Sequence, residues 1–164
     1  MDIYYSVIET PLGWMLLVGK DGKVVETNLP KSSRDEAEAA APPGAEESAG
    51  EFGELAHRLR LYFDGERVDF SDIPVIFEGL GEFEERVLLE TMKVPYGAVT
   101  TYGALATASG SPGAARAIGN AMRRNPLPII VPCHRVLHSD GGIGGYSGGI
   151  DLKHRLLGLE GVIL

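Results

Sequence analysis

Six glycines crowd into the ten residues Asp140-Gly-Gly-Ile-Gly-Gly-Tyr-Ser-Gly-Gly149. Backbone this free loses too much entropy to hold a helix or strand, so the stretch reads as a loop that its neighbours must fit around. Upstream, Leu127-Pro-Ile-Ile-Val131 is apolar and bounded by prolines, which predicts a short buried strand. That strand would deliver Cys133, the only cysteine, to the edge of the loop, with His134 and Arg135 next to it. A thiol attacks as the thiolate, and a nearby base or cation lowers its pKa. A lone cysteine is more commonly a small buried hydrophobe. The apolar approach favours packing, while His134, Arg135 and the glycine loop favour a nucleophile. Adjacency in sequence leaves both readings open.

With 164 residues and 44% hydrophobic content, the chain can bury a real core as one domain or two small ones. No apolar run reaches membrane-spanning length, and Met1-Asp2-Ile3-Tyr4 does not open a secretion signal, so no membrane partner is expected. A single cysteine cannot form an internal disulfide or a multi-cysteine zinc site. His57, His134, His138 and His154 have no ligand spacing, so neither metal nor other cofactor is expected. The chain has no glutamine and three asparagines, a depletion of thermolabile residues that suggests a heat-adapted source. The net charge of −8 hides an asymmetry: residues 1–78 carry −9 and residues 79–164 carry +1. Only the second half has a balance compatible with nucleic acid.

From the N-terminus, Ile3–Ile8, Trp14–Val18 and Val24–Leu29 predict three antiparallel strands, the last two joined by a Lys20-Asp-Gly22 hairpin. Residues 31–50 contain no large apolar side chain and predict an exposed acidic loop, part helical and part disordered. Phe52, Leu55, Leu59 and Tyr62 recur at helical spacing over Glu51–Phe63, with His57 a surface or packing histidine. Val68–Phe77 is extended. Leu80–Met92 predicts an amphipathic helix with Glu82, Glu84 and Glu85 on its solvated face. Thr100 or Thr101 caps a short helix to Ser109, and Ser111-Pro112 opens a second to about Arg123. Two helices across a glycine-containing turn make a helix-turn-helix pattern, which is often a mere packing unit. The second helix is slim, with two glycines and Arg116 among alanines, and would suit close helix packing or a DNA groove. Asp151 is expected to cap a last helix over Leu152–Leu159.

Taken together, these residues resemble the O6-alkylguanine-DNA alkyltransferases (methylated-DNA–protein-cysteine methyltransferases). The resemblance is carried by Pro95-Tyr-Gly-Ala-Val-Thr-Thr-Tyr-Gly103, Ala114-Ala-Arg-Ala-Ile-Gly-Asn-Ala-Met122 and Asn125-Pro-Leu-Pro-Ile-Ile-Val-Pro-Cys-His-Arg-Val136. It continues through Gly142-Ile-Gly-Gly-Tyr-Ser-Gly-Gly149, Lys153 and Leu156-Leu-Gly-Leu-Glu-Gly161. The first half matches in layout without a diagnostic motif. The implied fold is α+β. Residues 1–78 would form a small antiparallel sheet with a helix, ribonuclease H-like. Residues 79–164 would form a helical, helix-turn-helix (winged-helix-like) domain that carries the cysteine.

The resemblance also implies an activity: a DNA repair protein that flips O6-alkylguanine, chiefly O6-methylguanine, out of duplex DNA. The alkyl group passes irreversibly to Cys133, once per molecule. By match, His134 is the base, acting through a water and oriented by Glu160. Tyr102 rotates the nucleotide and donates to the guanine, and Lys153 favours the thiolate. Arg116 enters the base stack; Thr101, Ala114, Ala115, Arg123 and Arg135 join it against DNA, and the acidic first half is expected to face away from the duplex. Met122, Val136, Tyr146 and Ser147 form the base pocket, with the Cys133 and Val136 carbonyls and the Ser147 amide reading the base. Asn125 is a structural hinge. The implied protein is a cytoplasmic, nucleoid-associated monomer, with cooperative binding along DNA left open. Two rivals compete. Alkyltransferase-like binding proteins recognise the lesion without transferring it but lack the cysteine that Cys133 supplies. A cysteine hydrolase would need an oxyanion site that no feature demands.

Overall fold

Asp21 and Gly22 both take positive φ, 53° and 78°, the conformation that joins two right-twisted strands in a two-residue hairpin. That turn links β2 (Gly13–Lys20) to β3 (Lys23–Thr27), and β2 also pairs antiparallel with β1 (Ile3–Thr10) from Ile3↔Lys20 to Thr10↔Gly13. The computed structural model describes residues 2–163, and the chain divides into two units, Met1–Glu78 and Gly79–Leu164.

Because β2 is central, its Met15, Leu16 and Leu17 are fully buried. Alternate residues of β1 serve opposite faces. Tyr5 donates to Glu38 on one face, and Tyr4 lies 5.4 Å, ring to ring, from Phe52 on the other. Phe52 leads into α2 (Gly53–Phe63), whose Leu55, Leu59 and Tyr62 are buried and whose His57 is exposed.

Residues 31–50 are largely exposed and part helical, as expected, but the rest is more than a loop. They form α1 (Arg34–Glu38), capped by the Ser33 hydroxyl, which accepts from Glu36 N at 3.1 Å. They also form β4 (Glu46–Glu47), which pairs parallel with Tyr4 and Tyr5 and completes a sheet of order β3-β2-β1-β4. Composition misleads here because the anchors are small or polar. Ala37 is fully buried, and Arg34 bridges Glu38 and Glu47.

The second unit gathers α3 (Glu82–Thr91), α4 (Tyr102–Ala108) and α5 (Ala115–Arg123) around Val87, Leu88, Leu105, Ile118 and Ala121, all buried. Thr101 caps α4 by accepting from Ala104 N at 3.0 Å. The helix-turn-helix is therefore α4–turn–α5. Its second helix begins at Ala115 rather than Ser111, because Gly113 takes φ 86° and Ala114 N closes a turn onto Ser111 O at 3.1 Å. That leaves Gly119 as the one glycine inside α5.

Leu127–Val131 is not a strand. Pro126, Pro128 and Pro132 remove the donors a ladder would need, and the chain folds instead into a buried turn closed by Val131 N on Leu127 O at 2.8 Å. Ile129 is left-handed at φ 76°, a conformation that costs a β-branched residue of order 1–3 kcal/mol. Asn125 offsets it from both ends: Oδ1 accepts from Leu127 N at 2.9 Å and Nδ2 donates to Val131 O at 3.1 Å. β6 (Val136–Leu137) then pairs parallel with β5 (Thr100–Thr101). The last helix, α6 (Ile150–Leu159), is entered through Gly149 at φ 95°, so Asp151 lies in its first turn rather than at its cap.

Candidate active site

Cys133 opens a tight 3₁₀ turn, Cys133–Arg135, between the buried turn and β6. It is 6% exposed, and its Sγ accepts from Asn125 Nδ2 at 3.3 Å. Asn125 thus does more than the hinge role implied by the sequence: it supports the backbone turn and also donates to the sulfur. Burial pushes the thiol pKa up, because a thiolate is costly in low dielectric. The Asn125 bond, the Lys153 charge and the Tyr146 hydroxyl oppose that rise without cancelling it.

Behind the cysteine is a buried ionic cluster. His134 Nε2 and Glu160 Oε2 are 2.6 Å apart. Arg135 Nε and Nη2 donate to Glu160 at 2.8 and 3.0 Å, and Gly97 N donates to its Oε1 at 3.0 Å. Burial works against the carboxylate, but the bonds from His134 and Arg135 win and bring its pKa down to about 2. Burial lowers the His134 pKa despite Glu160. A neutral imidazole facing a carboxylate carries its proton on the facing nitrogen, which leaves the Nδ1 lone pair as the basic site.

Arg135 is not a DNA-facing residue. It is 5% exposed, with its guanidinium spent on Glu160 and, through Nη1, on Val94 O at 2.7 Å. The guanidinium also lies 6.0 Å from the centre of the Tyr96 ring. Its place is inside the cluster, holding Glu160.

Lys153 projects from α6 into the same interior and is fully buried. Its Nζ donates to Val136 O at 2.6 Å and to Gly145 O at 3.1 Å. Burial lowers its pKa to about 8, with the Cys133 charge pulling it back up. Of the two carbonyls expected to read a base, Val136 O already accepts from Lys153, and Cys133 O accepts from Val136 N. Gly144 is a glycine by necessity: φ is 75°, and a Cβ there would come within 2.9 Å of Tyr102 Oη.

These elements enclose a cavity of about 680 Å³, within the range of small-ligand sites. One wall is α5, which supplies Ala115, Arg116, Gly119, Met122 and Arg123. The other is built by Tyr102, Cys133, His138, Gly145, Tyr146 and Ser147. Burial raises the Tyr102 and Tyr146 pKa values, and the Cys133 charge adds to both shifts. Both hydroxyls therefore stay protonated and able to donate.

The cavity thus gathers Cys133, Tyr102, Tyr146, Ser147, Met122, Arg116, Arg123 and Ala115 in one place. His134, Glu160, Lys153 and Asn125 are arranged behind it. Thr101, Ala114 and Val136 do not line it: the Thr101 hydroxyl is used as a helix cap, Ala114 precedes α5, and Val136 is fully buried. His138 and Gly119 line it without having been singled out. Their signal lay in strand register and helix face, which one sequence does not display.

A family model described as the DNA binding domain of 6-O-methylguanine DNA methyltransferase matches residues 82–162. A second, described as its ribonuclease-like domain, matches residues 3–77. The methylated-DNA--protein-cysteine methyltransferase of Methanosarcina acetivorans is 39% identical over 159 residues, which is 97% of this chain and 99% of that one. The crystal structure of Mycobacterium tuberculosis OGT in complex with DNA aligns with a TM-score of 0.83 at 35% identity, covering 96% of this chain and 92% of that one. O6-methylguanine-DNA methyltransferase from the hyperthermophilic archaeon Pyrococcus kodakaraensis strain KOD1 aligns with a TM-score of 0.72 at 28% identity, covering 98% and 99%. A chain that matches both domain models in order, and such relatives over nearly its whole length, belongs to the 6-O-methylguanine DNA methyltransferase family.

Proposed function

We propose that this protein repairs O6-alkylguanine, chiefly O6-methylguanine, in duplex DNA by moving the alkyl group onto Cys133, once per molecule. The observation that carries the reading is the place of that sulfur: it lines a cavity roomy enough for a base, whose opposite wall is the slim, arginine-bearing face of α5. The O6 substituent of a stacked guanine is out of reach of such a recessed thiol, so the nucleotide has to leave the stack. Ala115 and Gly119, small residues on the cavity wall, let α5 approach DNA closely, and Arg116 beside them fills the vacated position. Tyr146, Met122 and the Ser147 amide receive the base.

The thiol proton passes through a water to His134, whose tautomer Glu160 sets and whose positive charge Glu160 then stabilises. Asn125 and Lys153 stabilise the thiolate that results. Sulfur attacks the alkyl carbon, the carbon–O6 bond breaks, and the electron pair leaves with the guanine. Tyr102 donates a hydrogen bond to that anion, which becomes neutral guanine by taking one proton, matching the one the thiol lost. The product is a thioether without a leaving group that water can displace, so the protein is spent.

Mixing the protein with a duplex that contains one O6-methylguanine, then weighing the intact protein and its peptides, tests the reading. The expected result is one added methylene on the Cys133 peptide, equimolar with repaired DNA. Cys133→Ser should bind the lesion duplex and gain nothing. An unaltered mass with the lesion tightly bound would make the protein a damage sensor instead.

A further inference from the structure

Among the described residues, His138 and Arg123 are the titratable side chains lining the cavity that the chemistry above leaves without work, and His138 is the one whose ring meets Tyr102. Strand register brings it there. Thr100 pairs with Val136 and Thr101 with Leu137, so the next residues on the two parallel segments, Tyr102 and His138, emerge side by side. Their ring centroids are 5.2 Å apart with planes inclined by 45°, inside the range in which aromatic rings attract.

The imidazole is held on a pinned backbone. His138 N donates to Gly142 O at 2.9 Å, Gly141 N donates to His138 O at 3.0 Å, and Asp140 Oδ1 accepts from Gly142 N at 2.8 Å. Tyr102 has other neighbours, among them the Gly145 backbone, the Arg123 charge, Lys153 and Gly144. Lys153 Nζ is 6.0 Å from its ring centre, and the Gly144 backbone approaches its hydroxyl too closely for any Cβ. These border the hydroxyl end and the charged side, and His138 is the aromatic contact.

We propose that His138 is a positioning residue that holds the Tyr102 ring in the orientation from which its hydroxyl reaches the extruded guanine. This rests on the role given to Tyr102 in the reading above. The imidazole acts through the neighbouring ring, not on the reacting atoms.

Single-turnover rates over a range of lesion-duplex concentrations separate a half-saturation concentration from a limiting rate. His138→Ala and His138→Gln should lower the limiting rate roughly 2- to 10-fold, the factor an aromatic contact supplies, and leave half-saturation unchanged. His138→Phe should restore the rate. In a Tyr102→Phe background, His138→Ala should add little, because its partner's hydroxyl is already gone. Unchanged limiting rates in both ring-less variants would overturn the proposal, as would full additivity with Tyr102→Phe. A change in half-saturation alone would make the imidazole a DNA contact and overturn it too. If the unaltered protein transferred no methyl group, the underlying reading would fail first and take the proposal with it. Normal transfer by the unaltered protein and by His138→Gln alike would sink only the proposal.

Discussion

Glu160 accepts from His134, from two nitrogens of Arg135 and from Gly97 N, and that crowding makes it a stability determinant as well as part of the reaction. Its carboxyl titrates at about 2 in the fold against 4.5 for an unburdened group. Because the folded value is the lower, the stabilisation is fully present above about pH 4.5. It is lost as pH falls towards 2, where the unfolded chain binds a proton that the folded one still refuses. The shift corresponds to about 3 kcal/mol at most. Hydrogen exchange of the α6 amides between pH 6 and pH 2 should show this loss. Glu160→Gln should flatten that part of the curve. At neutral pH the same variant leaves the Arg135 guanidinium buried without its carboxylate, a change that costs about 3–5 kcal/mol, and it should also slow transfer. Parallel acid sensitivity in the two proteins would place the origin of the effect elsewhere.

At the scale of elements, α5 separates the demands of fold and function. Ile118 and Ala121 face inward, while Met122 and Gly119 lie on the cavity wall, Gly119 with nothing within 4 Å of the position a Cβ would take. Gly119→Leu should therefore raise helix stability by up to about 1 kcal/mol and raise the melting temperature. It should also fill the wall and the groove-facing surface, so transfer from a lesion duplex should fall at least tenfold. A rise in both quantities would show that this face does not meet DNA. What the sequence could and could not disclose follows the same division. Helical spacing of Leu55, Leu59 and Tyr62 and the Asp21-Gly22 turn were legible because their signals are local. The arrangement of Leu127–Val131 was not: apolar content reads as a strand, while three prolines and the Asn125 side chain impose a turn. Residues 31–50 looked unanchored because the anchors are Ala37 and Arg34, residue types that composition counts as surface. Arg135 looked like a DNA contact beside Cys133, and only its distances to Glu160 show a buried partner.

Across the whole molecule, charge is divided unevenly, −9 over residues 1–78 and +1 over residues 79–164. DNA phosphates respond to the summed field of both, so a repair domain with a near-neutral balance is joined to a body that repels the same polymer. That repulsion should weaken adhesion to undamaged duplex, where a protein used only once gains nothing by lingering. Asp35 and Glu46 test it cleanly: both are exposed, lie outside the cavity unit and belong to the ordered segment 31–50. Asp35→Asn with Glu46→Gln should tighten binding to undamaged duplex roughly twofold or more at low salt, and the difference should vanish as the Debye length shrinks towards a few ångströms near 1 M. The limiting rate of methyl transfer at saturating lesion duplex should not change, because neither side chain lines the site. Loss of the Asp35 charge from the first turn of α1 costs no more than about 1 kcal/mol, so a melting curve distinguishes a charge effect from a damaged fold. Equal affinities of the two proteins for undamaged DNA in 0.05 M salt would show that the acidic unit does not govern nonspecific binding.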